Sequence, residues 1–320
     1  MRVLVTGGAG FIGSHIVDQL LLKGHQPFVI DNLSTGDRRN VPQNVPLHVV
    51  DICDGPKLAE AFDSVRPEWV CHQAAQMSVS RSMREPLFDA EVNAMGMLRV
   101  LDNAARVGAK KIVFASSGGV LYGDVTTPAT EGFPIAPISP YGITKWVGER
   151  YMEFYARERG LNGVALRYSN VFGPRQNPHG EAGVVAIFAQ RMLAGEYGMI
   201  NGDGHYIRDY VYAIDVARAN VLAMESNSEL PFQALNIGTG TGTDVNQLAD
   251  MIRSQVQKHW QTSGRSGTVP ECQHGPARSG DLRSNLVNAD LAQTVLGWRP
   301  NVTLSTGIRD TVTWFATGSA

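Results

Sequence analysis

The chain is poor in everything that would staple, anchor or strongly charge it. It holds three cysteines in 320 residues, Cys53, Cys71 and Cys272, odd in number and far apart. They suit neither a disulfide framework nor a metal knuckle, so a reducing, cytoplasmic setting is expected. No apolar run approaches the roughly 18 residues of a membrane span. Met1-Arg2 passes directly into Val3-Leu4-Val5 and a glycine turn, without a signal-peptide core. The 28 basic and 30 acidic side chains leave a net charge of −2. A protein that grips nucleic-acid backbone carries a basic excess, so that role is excluded. The eight histidines show no paired ligand spacing, and no metal is expected. No G-x-S-x-G elbow is present, which removes the usual serine-hydrolase reading.

What is present is glycine, 34 residues, and apolar side chains at 43% of the chain against 18% charged. That composition is globular and rich in tight turns. The first half alternates short β-branched runs with longer amphipathic stretches. Strands are expected at Arg2–Val5, Gln26–Asp31, Leu47–Asp51, Trp69–His72, Lys111–Ser116 and Gly163–Arg167. Helices are expected at Phe11–Lys23, Pro56–Ser64, Leu87–Val107 and Tyr141–Arg159. This alternation implies an α/β fold with a doubly wound parallel sheet, a Rossmann domain over residues 1–170. Past residue 170 the rhythm becomes irregular, with helices at Gly183–Gly195, Ile214–Glu225 and Val245–Lys258 and a surface loop at Gln261–Gly267. A smaller, irregular α/β domain is expected over 171–320. The chain rejoins the first sheet within about 211–240, near Leu235–Gly238.

Two motifs carry chemistry. Thr6-Gly7-Gly8-Ala9-Gly10-Phe11-Ile12-Gly13 follows the first strand and opens the first helix. Gly7 serves the tight turn, Gly10 lets backbone approach a pyrophosphate, and Gly13 lets the helix pack on the strand. The helix N-terminus then faces the phosphates. Asp31 ends the next strand, where a carboxylate accepts from an adenosine ribose and repels a 2′-phosphate, favouring NAD over NADP. Asp51, at the third strand's end, is placed to reach the adenine edge. The second motif is Tyr141-Gly142-Ile143-Thr144-Lys145, which puts Tyr141 and Lys145 on one helix face. A phenol is a poor base at neutral pH. A neighbouring ammonium and a cationic nicotinamide lower its pKa and open the phenolate.

Together these features resemble the extended, nucleotide-sugar branch of the short-chain dehydrogenase/reductase superfamily, and within it the UDP-glucose (UDP-galactose) 4-epimerases. The resemblance spans essentially the whole chain. It includes the glycine start, His72-Gln73-Ala74-Ala75, Asn93, and Ser116-Ser117-Gly118-Gly119-Val120-Leu121-Tyr122-Gly123. It continues through Ser139-Pro140-Tyr141, the run from Arg167 to Gln176, Arg208-Asp209-Tyr210-Val211 and Arg278-Ser279-Gly280-Asp281. The run from Gly173 to Phe188 is especially similar to bacterial and archaeal members.

The resemblance implies roles residue by residue. Tyr141 takes the proton of the sugar 4-hydroxyl, and Lys145 holds the ribose and tunes the tyrosine. The family's hydroxyl residue falls at Gly118, so Ser117, or else Ser116, is the implied third catalytic group. NAD is held by Gly7, Gly10, Phe11, Ile12 and Gly13 at the turn. Asp31, Asn32, Ser34, Thr35 and Gly36 follow the second strand, and Asp51 and Ile52 the third. Gln73, Ala74, Ala75 and Gln76 follow the fourth strand, with Asn93, Tyr141, Lys145 and Tyr168 completing the set. On the substrate side, Gln76, Ser78, Ser117 and Tyr141 face the sugar. Asn170, Arg208 and Arg278 meet the diphosphate, Asp281 meets the uridine ribose, and Val185 and Arg191 complete the set. Arginine forks suit paired phosphate oxygens.

Related dehydratases carry an Asp-Glu pair where this chain has Gly119 and Val120, so no group for eliminating water is present. The reaction implied is NAD-dependent 4-epimerisation of a UDP-hexose by transient C4 oxidation and re-reduction. Uronate epimerases resemble this chain but tend to carry arginine at the Asn177 position, which favours a neutral hexose. Asn285, smaller than tyrosine, leaves room for an N-acetyl sugar. UDP-N-acetylglucosamine or UDP-glucuronate 4-epimerisation is the alternative, followed by a nucleotide-sugar 4-ketoreductase, against which Asp31 argues. A non-catalytic NAD-sensing regulator would lose the Tyr141 and Lys145 pair. A homodimer is implied, with Leu87–Val107 and Tyr141–Arg159 forming a four-helix bundle.

Overall fold

The computed structural model describes residues 1–178, 183–227, 230–277 and 281–318. β1 (Arg2–Thr6) leads through the glycine turn into α1 (Phe11–Leu22), followed by β2 (Gln26–Asp31), β3 (Leu47–Val49), α2 (Gly55–Val65) and β4 (Trp69–His72). Next come α3 (Val79–Arg84), α4 (Pro86–Ala90), a π turn (Glu91–Met95) and α5 (Gly96–Arg106). β5 (Lys111–Ser117), the short α6 (Gly118–Leu121), α7 (Pro140–Arg159) and β6 (Asn162–Tyr168) follow. The remainder holds β7 (Asn170–Phe172), α8 (Val184–Ala194), β8 (Met199–Asn201), β9 (Ile207–Tyr212), α9 (Ala213–Glu225) and β10 (Phe232–Ile237). It ends with β11 (Gly242–Asp244), α10 (Val245–Thr262), β12 (Gln273–Gly275), β13 (Ser284–Asn285), α11 (Asp290–Leu296) and α12 (Leu304–Thr317).

Seven strands form one parallel sheet in the order β10-β6-β5-β4-β1-β2-β3. Side chains alternate across it, as the two-residue period demands. Val3 and Val5 join a core with Ile16 and Leu20 of α1 and with α9, while Leu4 joins the opposite core with Phe62 of α2, Leu101 of α5 and Met152 of α7. With both faces covered, the strands are apolar throughout. The strand order reverses between β1 and β4, which opens a crevice at the carboxyl ends of the strands. A smaller core of Phe172, Phe188, Ile252, Trp260 and Ile308 unites β7 with α8, α10 and α12 beyond the main sheet. The short strands β7, β11 and β13 all pair with β9.

Three expectations are refined. The helix expected over Leu87–Val107 runs from Pro86 to Arg106 with a π turn inside it at Glu91–Met95. That turn brings the buried Asn93 side chain round to the backbone of Gln76, with Oδ1 accepting from its N–H and Nδ2 donating to its carbonyl, both at 2.9 Å. The third strand stops at Val49, so Asp51 lies in the turn beyond it. α10 runs to Thr262, into the expected loop, because Trp260 packs in the smaller core.

A buried ion pair binds sheet to helix. The Arg167 guanidinium of β6 grips the Glu149 carboxylate of α7 bidentately, at 2.7 and 2.9 Å. Arg167 also donates to the Tyr122 hydroxyl at 2.8 Å, which donates to Asn236 of β10 at 2.7 Å. Truncating one member strands a buried charge. Glu149→Ala should therefore lose about 3–5 kcal/mol in urea unfolding; a loss below about 1 kcal/mol would contradict this account.

Candidate active site

The crevice begins at the glycine turn. Gly7 has φ +70°, and a Cβ there would lie 2.7 Å from the Ala74 nitrogen, so the segment after β4 closes directly on the turn. A Cβ at Gly13 would stand 2.1 Å from the Gly7 carbonyl oxygen. Gly13 thus lets α1 start against the turn itself, rather than against a strand as expected. Gly10 is the N-cap of α1 and makes no side-chain cap hydrogen bond. The first-turn amides at Phe11 and Ile12 are therefore left without a capping side chain, which suits an anion.

Asp31 locks the next segment onto this turn. Its carboxylate accepts from the Ala9 N–H at 3.0 Å and the Leu33 N–H at 2.8 Å. Burial pushes the carboxyl up, and those two bonds oppose the shift. Gly36 approaches so closely that a Cβ would lie 2.9 Å from both Asp31 oxygens. Asn32 accepts from the Ser34 N–H at 3.0 Å and donates to Asp51 at 2.8 Å, with Thr35 in the same loop. Partial burial raises the Asp51 carboxyl, but hydrogen bonds from Cys53 and Asn32 hold it below its ordinary value. Ile52 meets Gly96 of α5, where a Cβ would stand 2.7 Å from it.

Beyond β4, the Ala74 N–H donates to the Thr6 hydroxyl at 3.3 Å, and Ala75 leads on to Gln76. Gln73 and Tyr168 spend their side chains below this edge, both bonded to Asn220 at 3.2 and 3.0 Å. His72 pairs with Thr6 at 2.7 Å. Burial, then the Lys145 charge, pull His72 down to about 3, so it is neutral.

α7 carries Tyr141 and Lys145. Its start is fixed by Ser139, whose hydroxyl accepts from the Gly142 N–H at 3.2 Å, and by Pro140 in the first turn. Tyr141 shares a hydrogen bond with Ser117 at the end of β5. Lys145 is buried, donates to the Ala115 carbonyl at 2.8 Å, and lies 5.6 Å from the Tyr141 ring centre. Ser116 turns instead to Glu149, donating at 2.5 Å. No side chain fits at Gly118, because a Cβ would lie 2.7 Å from Val287 and 3.1 Å from the Arg167 carbonyl oxygen. The serine hydroxyl that meets Tyr141 is therefore one residue earlier. Burial draws Lys145 down to about 8, with the Asp89 charge opposing. Burial also pushes the Tyr141 phenol up, Asp89 adding and Ser117 opposing. The protein alone thus moves Tyr141 opposite to the expected lowering, because desolvation of a phenolate dominates.

Asp89 gave no signal in the sequence, where it reads as a surface acid. It is fully buried and accepts from Gln76 at 2.7 Å, Asn93 at 3.0 Å and Thr144 at 2.8 Å. Gln76 also donates to the Ser78 carbonyl at 2.9 Å, and Ser78 caps α3 by accepting from Arg81 at 3.0 Å.

The other expected substrate residues divide. Arg208 pairs with Asp281 at 2.6 Å, Asn170 donates to the Asp209 carbonyl at 3.2 Å, and Asn285 lies in register with Arg208. These gather around β9. Val185 buries its side chain in the smaller core. Arg191 is drawn to the turn after α8, donating to the Tyr197 carbonyl at 3.0 Å and pairing with Glu196 at 3.2 Å. Arg278 lies outside the described residues. Among those described, no three potential metal ligands stand together, and no helix is long and apolar enough to cross a membrane.

Comparison with known proteins agrees with this geometry. The NAD dependent epimerase/dehydratase family matches residues 3–238. The UDP-glucose 4-epimerase of Mycolicibacterium smegmatis is 41% identical over 321 residues, covering 98% of each chain. The crystal structure of Thermotoga maritima UDP-glucose 4-epimerase with UDP-glucose has TM-score 0.93 and 46% identity over the full length of both chains. That of the Thermus thermophilus UDP-glucose 4-epimerase in complex with NAD has TM-score 0.91 and 45% identity, again over both full lengths.

The chain belongs to the NAD dependent epimerase/dehydratase family.

The family's cofactor fits the residues present. The Gly7 and Gly13 cradle admits no side chain, the α1 N-terminus lacks a side-chain cap, and Asp31 presents a carboxylate one strand away. Gly7→Ala must strain a left-handed backbone and collide with Ala74. NAD affinity of the stripped protein, measured by calorimetric titration, should fall about tenfold or more, a loss of roughly 1.4 kcal/mol. Unchanged affinity would contradict the cradle.

Proposed function

We propose that this family member interconverts UDP-glucose and UDP-galactose at C4 and keeps its NAD throughout. The observation that carries the reading is Tyr141, hydrogen-bonded to Ser117 at the carboxyl end of β5 and beside the buried Lys145 ammonium. The relatives named above support the substrate class. Bound NAD supplies a reversible hydride acceptor and donor. The Tyr141 oxygen takes the 4-hydroxyl proton and later returns it. Ser117 hydrogen-bonds the same hydroxyl and fixes its distance from Tyr141. Lys145 keeps positive charge beside the phenol and favours its deprotonated form. Gly119 and Val120 hold no acid or base, so the oxidised sugar meets no group that would eliminate water. Arg208 and Asn170 hold the diphosphate from β9 and β7, with Asp281 beside Arg208 for the ribose. Rotation of the keto sugar between two faces, with the nucleotide held, inverts C4.

Residues 1–170 with the return through β10 form the cofactor domain in this reading, and 171–320 otherwise hold the nucleotide. A second substrate, the N-acetyl hexose, is favoured by Asn285, whose amide donates to the Gly118 carbonyl at 3.1 Å and is held back from the sugar. The protein works in the cytoplasm as a homodimer. Support for the dimer comes from α3, α4 and α7, where Met83, Leu87, Ile143 and Phe154 are exposed, Leu87 at 86%.

Purified protein fed UDP-glucose without added cofactor should form UDP-galactose, read by chromatography. Absence of product even with NAD supplied would overturn the reading. Tyr141→Phe should lower kcat by about 10²–10⁴. Ser117→Ala should lower it about tenfold or more. In sedimentation, Leu87→Asp should shift the dimer toward monomer; an unmoved boundary would remove that interface.

A further inference from the structure

Asp89 and Lys145 are opposite charges buried within one site, yet they do not pair directly. The carboxylate is fully buried and its hydrogen bonds come from the neutral donors Gln76, Asn93 and Thr144. Lys145, 4% exposed, spends its bond on the Ala115 carbonyl. Thr144 links the two, since it precedes Lys145 on α7 and spends its one hydroxyl proton on Asp89 at 2.8 Å. A buried ammonium without compensating charge costs several kcal/mol and loses its proton instead. The charges facing this pair from every packed element are few. Ser117 of β5 is neutral, and His72 of β4 is neutral. Glu149 and Arg167 neutralise each other one turn along α7. Arg81 with Glu85 and Glu91 with Arg99 are outward ion pairs of α3, the π turn and α5. Asp89 on α4 is the remaining buried charge among the described residues that acts on both Tyr141 and Lys145.

We infer that Asp89 is a positioning residue that acts through charge: it keeps Lys145 an ammonium in its buried seat, and it ties α7 to the pocket wall at Gln76. The inference rests on the epimerase reading for its kinetic consequence only. A negative charge raises the proton affinity of the phenol and of the amine alike. Its removal lowers both. The acid limb of the kcat profile, set by Tyr141 losing its proton, then moves to lower pH. The alkaline limb, set by Lys145 losing its proton, moves the same way. A merely structural defect lowers the whole curve and leaves both limbs in place.

The test compares the holoenzyme with Asp89→Asn, which keeps the shape, and Thr144→Val, which keeps the charge. Asp89→Asn should move both limbs down by about one pH unit. Thr144→Val should lower kcat with the limbs unmoved. Carbon-13 spectra of lysine-labelled protein, with Lys145 assigned through Lys145→Arg, give a readout independent of turnover. The Lys145 midpoint should fall in Asp89→Asn by a similar amount. Limbs and midpoint unmoved in a folded Asp89→Asn would overturn the inference. If Asp89→Asn does not fold, aspartate-labelled wild type decides. The carboxyl signal displaced by Thr144→Val must be ionised through the neutral range, and a protonated one overturns the inference. A wild type that never epimerises overturns the functional reading, while the lysine titration still judges Asp89.

Discussion

A lysine ammonium must be kept charged inside the protein, and most of the site follows from that. Lys145 lies under the end of β5, donating to the Ala115 carbonyl and with its charge 4.8 Å from the Phe114 ring centre. This seat exists only because α7 presses on the sheet. Gly148 permits it, since a Cβ there would stand 2.9 Å from the Phe114 ring. The Ser139 cap sets where α7 begins, and so sets Tyr141 against Ser117. The Arg167 and Glu149 pair holds the same helix one turn on. His72, beside the ammonium, is kept neutral by burial and adds no competing charge.

The cofactor side depends on a second close approach, between backbone and backbone. The segment after β4 meets the β1–α1 turn where Ala74 lies against Gly7, and the loop after β2 meets the same turn where Gly36 lies against Ala9. Asp31 joins that turn and that loop through paired amides. Side chains are excluded at the centre, and what remains facing the crevice is amide and carboxylate. That is a surface for a dinucleotide, whose phosphates take amides and whose ribose takes an acid.

Much of this was legible in the sequence, for physical reasons that differ by element. β1, β2, β4 and β5 sit where their β-branched runs stand, because strands covered on both faces leave an apolar record. The glycine turn was legible because only glycine survives there. The choice between Ser116 and Ser117 was also partly written. The two-residue period sends Ser116 to the face of Phe114, toward Glu149, and leaves Ser117 for Tyr141. The π turn was not legible, since helical periodicity survives a one-residue bulge and only the Asn93 contact to Gln76 reveals it. Asp89 was hidden for a similar reason. An acid on a short helix reads as solvated until its donors arrive from three other segments. The small strands around β9 are too short to leave a pattern.

The central claim is that the hydrogen on C4 leaves and returns within one binding event, while Tyr141 handles the accompanying proton. Its most direct measurement uses UDP-glucose carrying deuterium at C4, converted by the purified holoenzyme in ordinary water. The account predicts that the deuterium is found at C4 of the epimeric product, without dilution. Deuterium lost to water would show that C4 inverts by proton exchange, and the account would be wrong.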